Sequence, residues 1–179
     1  MNIAILFSTV EGHTGKICRF VETMLGQDGH AVRVFDTDAT VPVDLNDGDA
    51  VILLAPVHER RHPDLFEATV AALAEKLAPM PTLMLSVSLS ASFQDGREEA
   101  QDYLDEFKMR TGLAPTREAL VAGAVKTERY DYFAAQVVKM VVLRGKTYDA
   151  ANGSHEFTDW DALRNAVTEF TGIAASAPA

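Results

Sequence analysis

The chain opens on a short, nearly unbroken apolar run at 2–7, N-I-A-I-L-F. Such a run suits a strand covered on both faces, as in a parallel sheet. Over 14–27 the apolar positions Ile17, Phe20, Val21, Met24 and Leu25 recur at helical spacing, and Gly29 is placed to end that helix. Residues 31–36 then alternate as a strand. The pattern repeats with an apolar strand over 50–55 and a helix that Pro63 opens and Pro79 stops, with Leu65, Phe66, Val70, Leu73 and Leu77 expected on one face. A strand over 82–88, a charged helix over 98–111 with Tyr103, Leu104 and Phe107 turned inward, a fifth strand over 118–123 and a last helix over 158–171 complete the series. Strands alternating with helices imply an open α/β sheet, because parallel neighbours need crossover connections that helices supply.

One interval breaks the alternation. Residues 124–157 form a connection far longer than usual between the fifth strand and the last helix, and a specialised function is expected there. The ending from 174 to 179, A-A-S-A-P-A, is expected to fray. A length of 179 residues allows one domain.

Composition narrows the function. A net charge of −10, from 16 Lys and Arg against 26 Asp and Glu, opposes a nonspecific nucleic-acid binder, which needs an electropositive face. The single cysteine, Cys18, can form neither an internal disulfide nor a cysteine-based zinc site. With the chain starting directly on a strand, a reducing, cytoplasmic protein is expected, and no stretch reaches the ~18–20 apolar residues of a membrane-spanning helix.

The candidate chemistry begins at the end of the first strand, where Ser8, Thr9, Val10, Glu11, Gly12, His13 and Thr14 lead into the first helix. A turn of this kind aims backbone N–H groups and the positive helix end at one spot, and its hydroxyls can donate further hydrogen bonds to an anion. The same residue types also serve as ordinary helix caps. The loop has no P-loop lysine and lacks the dinucleotide glycine spacing, which disfavours ATP and NAD. In a sheet of order 2-1-3-4-5 the ligand crevice lies where the order reverses, between strands one and three. Loops 8–14 and 55–62 would flank it, and the loop at Ser88, Leu89, Ser90, Ala91 and Ser92 would share the rim, leaving a slot for a flat heterocycle.

The motif I-L-F-S-T-x-x-G-x-T at 5–14 resembles the opening of flavodoxin-like proteins. S-V-S-L at 86–89, A-G-A-V-K at 122–126 with Arg129 and Tyr130, and F-T-D-W at 157–160 narrow the resemblance to the menaquinone-dependent protoporphyrinogen IX dehydrogenases, over nearly the whole chain. That resemblance implies a flavodoxin-like three-layer sandwich and FMN as cofactor. It also implies oxidation of protoporphyrinogen IX during haem biosynthesis, with electrons passed to a membrane quinone. By it, the loop from Ser8 to Thr14 holds the ribityl phosphate, and Val57, His58 and Ser88 to Ala91 lie against the isoalloxazine. Where relatives place a tyrosine in the second rim loop, this chain reads P-V-H-E-R-R-H-P at 56–63, so His58 or an arginine plane is expected to stand in.

Between Ala124 and Tyr148 stand Lys126, Arg129, Lys139, Arg144 and Lys146 against Glu128 and Asp131, a local balance of +3 in an acidic chain. With Tyr130, the basic residues Lys126, Arg129, Lys139 and Arg144 are expected to meet the propionates of a porphyrinogen. The apolar run 133–143 suits a helix lying at an interface within 129–146, whether a membrane surface, a second subunit of a homo-oligomer or the sheet itself. His58 and His62 stand four apart without a third ligand, so no metal is expected. Thr158 and Asp161 resemble a capping box, Trp160 reads as a packing anchor, and Cys18 as an inert, partly buried thiol. Two other classes remain open: an electron-carrier flavodoxin, and a flavin-free interaction domain.

Overall fold

A computed structural model provides the structure and describes residues 1–39, 41–126 and 154–176. Five parallel strands, β1 (Asn2–Phe7), β2 (Ala31–Asp36), β3 (Ala50–Pro56), β4 (Thr82–Ser88) and β5 (Arg117–Ala122), form one sheet in the order β2-β1-β3-β4-β5. The unbroken apolar strands follow from this layering, since successive side chains enter opposite cores. Ile3, Ile5, Ile52, Leu54 and Leu85 face one layer; Ala4, Leu6, Leu53 and Met84 face the other.

On the first face lie α1 (His13–Gln27) and the last helix, α5 (Trp160–Ala175). Ile17, Val21 and Leu25 of α1 and Leu163, Val167 and Phe170 of α5 are buried against the strands. The second face carries α2 (Asp64–Ala72), the short α3 (Ala74–Leu77) and α4 (Arg97–Thr111), through Phe66, Val70, Leu77, Leu104 and Phe107. Gly29 and Gly112, at φ 81° and 70°, end α1 and α4 in the left-handed conformation that glycine adopts without a Cβ penalty.

The helix expected after Pro63 is interrupted. Leu73, at φ −97° and ψ 0°, separates α2 from α3, and its N–H is shared between the carbonyls of Thr69 and Val70. Leu65 is 52% exposed because its immediate neighbour Phe66 takes the inward position, and adjacent helical residues point about 100° apart. The expected Thr158–Asp161 capping box is also corrected: Asp159 is the N-cap of α5, its carboxylate accepting from the Ala162 N–H at 2.9 Å. That helix runs to Ala175 with Ala174 buried, so the fraying expected from 174 does not begin there. Trp160 is a packing anchor as expected, its ring 4.8 Å from that of Phe20. Cys18 is fully buried, not partly.

The interval 124–157 begins and ends as a pair of strands, β6 (Ala124–Lys126) and β7 (Ser154–Glu156), joined antiparallel. Gly123 N–H donates to the Ser88 carbonyl and Phe157 N–H to the Gly123 carbonyl, both at 3.0 Å, which roots the pair at the ends of β4 and β5.

Candidate functional site

The loop after β1 is built from its own hydrogen bonds. Ser8 N–H donates to Leu54 O across the sheet at 3.1 Å. The Thr9 hydroxyl accepts from the N–H groups of Gly12 at 3.0 Å and Gly15 at 3.3 Å, folding the loop back on the helix start. Gly12 makes the turn at φ 85°, a conformation costly for residues with a Cβ. The first N–H groups of α1 have no intrahelical acceptor by construction, and they carry the positive end of the helix dipole. No acidic residue occupies that first turn, whereas α2, α4 and α5 each place acids in theirs.

A slot of about 90 Å³ opens beside this loop, at the reversal of strand order. It brings together Val10, Glu11, His13 and Thr14 of the first loop, Val57 and His58 of the second, and Ser88 and Leu89 of the third. Pro56, Val87, Gly123 and Ala124 complete the walls. The other expected residues have different duties. The Ser8 hydroxyl donates to Asp38 at 2.9 Å, Thr9 and Gly12 shape the loop from behind, and the Ser90 hydroxyl donates to Glu99 at 3.0 Å. Ala91 instead lines a recess of about 590 Å³ along the outer side of β5, which Arg97, Gln101, Glu118 and Asp159 also border. That recess is larger but lies away from the reversal of strand order.

His13 links the loop to the return strand of the long connection. Thr158 gives its hydroxyl proton to Ala122 O at 2.7 Å, so His13 Nε2, 2.7 Å from Thr158 Oγ1, must be the donor to that hydroxyl oxygen. Glu156 sits 3.7 Å from His13 Nδ1 and also binds the Lys16 ammonium and the Trp160 indole N–H. Partial burial opposes ionisation of Glu156, but Lys16, Trp160 and His13 outweigh it and hold its carboxyl below the usual range.

The second loop is a tight turn in which His58 and Arg61 exchange backbone hydrogen bonds at 2.9 and 3.1 Å. Glu59 and Arg60 occupy its centre at φ 50° and 67°, left-handed positions that usually call for glycine or asparagine. Behind the turn, His62 is 1% exposed and its Nε2 lies 3.0 Å from the Ser86 hydroxyl. Burial pushes its pKa down to about 4, so the ring is neutral at pH 7. Among the described residues no group of three potential metal ligands occurs.

Of the expected substrate residues, Lys126 lies in β6, and Arg129, Tyr130, Lys139 and Arg144 fall outside the described residues, as does 129–146. No described helix is long and apolar enough to cross a membrane. Sequence reasoning missed Asp38, Glu99, Glu156 and the bonding role of Thr158. Only Thr158 had a signal, its place in the F-T-D-W stretch, and that stretch also fitted a helix cap.

The flavodoxin domain family matches residues 4–151, most of the chain. The protein belongs to that family. A protoporphyrinogen IX dehydrogenase [quinone] of Escherichia coli K12 is 25% identical over 174 residues, covering 97% of this chain and 96% of its own. Oxidised flavodoxin 1 from Bacillus cereus superposes with a TM-score of 0.58 at 14% identity, over 96% of this chain and 98% of its own. The Fusobacterium nucleatum flavodoxin bound to flavin mononucleotide gives 0.52 at 14% identity, over 99% of both chains. These structures share the five-stranded flavodoxin fold with this member of the family.

Proposed function

We propose that this flavodoxin-family protein binds FMN in the slot and oxidises a porphyrinogen, protoporphyrinogen IX in haem biosynthesis, with a membrane quinone as electron acceptor. The observation that carries the cofactor reading is the start of α1: a glycine-turned loop and an acid-free first turn opening onto the slot at the strand reversal. Its donor set fits a phosphate monoester held by neutral groups, because backbone N–H groups and the buried Thr14 hydroxyl supply the hydrogen bonds without a lysine. The near full-length relative supports the substrate and acceptor.

In this reading bound FMN would accept a hydride equivalent from the substrate, and the chain supplies placement. Ser8, Thr9 and Gly12 shape the phosphate loop, Thr14 and the helix start bind the phosphate, and His13 fixes the loop against Thr158. Val57, His58, Ser88 and Leu89 form the walls against which the flat ring lies. The basic residues Lys126, Arg129, Lys139 and Arg144, with Tyr130, pair with substrate propionates in this proposal, and 129–146 offers the surface for peripheral membrane contact.

The test is an absorbance titration of the purified protein with FMN, then anaerobic addition of protoporphyrinogen IX. Uptake followed by bleaching of the flavin's visible absorbance is expected. Uptake without bleaching removes the porphyrinogen and points to an electron carrier; no uptake removes the cofactor. Thr14→Ala should weaken FMN about tenfold by removing one hydrogen bond to a charged group, and an unchanged affinity would remove Thr14 from the phosphate site.

A further inference from the structure

The ring end of the slot is held by a cluster that the phosphate end does not touch. Glu99, on the first turn of α4, accepts the Ser90 hydroxyl at 3.0 Å with Oε2, and its Oε1 lies 3.4 Å from Arg60. Arg60 stands at the strained tip of the second rim turn, and its guanidinium lies 5.8 Å from the centre of the Tyr103 ring. The Tyr103 hydroxyl in turn favours the ionised form of the Glu99 carboxyl. One carboxylate thus reaches both ring-side loops, 56–62 through Arg60 and 88–92 through Ser90. Close packing also holds the third loop against the start of α4, since a Cβ on Gly96 would come within 2.4 Å of Ser90 O.

We infer that Glu99 is a positioning residue for the flavin ring: it sets the separation of the two loops between which the ring is held, by tying Arg60 to Ser90. The inference rests on the FMN reading above. Its chemistry is consistent with a standing charge, because the Tyr103 and Ser90 hydroxyls and the Arg60 guanidinium hold the Glu99 carboxyl below its ordinary range despite partial burial. Two left-handed non-glycine residues at 59 and 60 are costly to maintain, and the Glu99 contact is one interaction that favours that backbone in the folded protein.

The test compares FMN and riboflavin binding by fluorescence quenching in wild type, Glu99→Ala and Arg60→Gln, with visible circular dichroism of the bound flavin. A ring-side clamp predicts that Glu99→Ala weakens FMN and riboflavin by the same factor, about tenfold, and alters the dichroism, while Thr14→Ala weakens FMN alone. Arg60→Gln, at a largely exposed side chain, should shift both flavins in the same direction by about threefold and serves if Glu99→Ala fails to fold. Equal affinities and unchanged dichroism in the variants, with wild type binding normally, overturn this inference alone. FMN binding without measurable riboflavin binding in wild type also overturns it, since the grip would then lie at the phosphate end. A wild type that binds neither flavin overturns the FMN reading and this inference with it.

Discussion

On one face of the sheet, α1 and α5 meet the strands through Ile17, Val21, Leu25, Leu163, Val167 and Phe170, and Cys18 is the buried ionisable side chain among the described residues there. On the other, α2 and α4 bring Phe66, Phe107 and Leu104 together with Glu67, and the loop before α2 brings His62, both of these polar residues nearly sealed from solvent. Glu67 is bound by Arg61 and Arg110 at distances from 2.6 to 3.1 Å, which locks α2 to α4. The phosphate loop grows out of the first layer, whereas the ring-side loops run into the second. An anion-binding turn needs a rigid backbone, which an apolar layer provides through shape alone. The ring-side layer carries a charge cluster and a neutral imidazole inside it, so its interior answers to protons, whereas in the first layer the titratable contacts of His13, Lys16 and Glu156 lie at the loop and not among the core side chains.

The largest effect should come from truncating an aromatic core residue. Phe170→Ala in the first layer and Phe107→Ala in the second should each cost about 3–5 kcal/mol in urea denaturation at pH 7. They should differ in acid, because Phe107 packs on His62 with ring centroids 5.0 Å apart. If both variants keep the same pH profile as wild type, the layers are not chemically distinct in the way described.

Next in size is the acid response of His62. Its folded pKa, about 4, lies below the ordinary histidine value, so the unfolded chain binds more protons between the two. Stability should therefore fall as pH drops from about 6.5 to about 4, by on the order of 3 kcal/mol, and His62→Gln should flatten that limb. Urea midpoints at pH 7, 5.5 and 4 decide it.

Glu67→Gln should cost about 1–2 kcal/mol at pH 7, since a charged acceptor becomes neutral while both guanidinium groups keep access to water. Arg61 and Arg110 hold the Glu67 carboxyl below its usual range, outweighing the burial that opposes ionisation. Its stabilisation is complete above the ordinary carboxylate range and is lost as pH falls below it, a limb that Glu67→Gln should lack. The smallest effect belongs to Cys18, whose thiol burial pushes up to about 12. An aromatic disulfide reagent should label it only at the rate of unfolding, and fast labelling of the native protein would show the first layer to be less tightly closed.

The inner strands β1, β3 and β4 were legible because burial on both faces favours apolar residues, and the half-exposed edge strand β2 by its alternation, each to within a residue or so. The order 2-1-3-4-5 and the slot at its reversal followed from the family resemblance and the loop chemistry. What escaped was set by contacts between residues far apart in the chain. Ser8 could not be assigned to Asp38, Ser90 to Glu99 or His13 to Thr158 without the fold, since each pair is joined only when separate loops converge. Leu65 misled because an apolar residue beside Phe66 satisfies a count of hydrophobic positions yet cannot share its face. Asp159, not Thr158, caps α5 because Thr158 is already committed to Ala122 and His13.

The pairing of β6 with β7 has a consequence for how such a protein can diversify. Its two ends are stapled side by side and rooted in the sheet, so the entropy of closing whatever chain runs between them rises only slowly with length. Natural variation or an engineer can therefore lengthen, shorten or exchange the segment between Lys126 and Ser154 at little thermodynamic expense to the five-stranded body. The hairpin base works as a socket, and the segment it carries can change while the five-stranded body stays as it is.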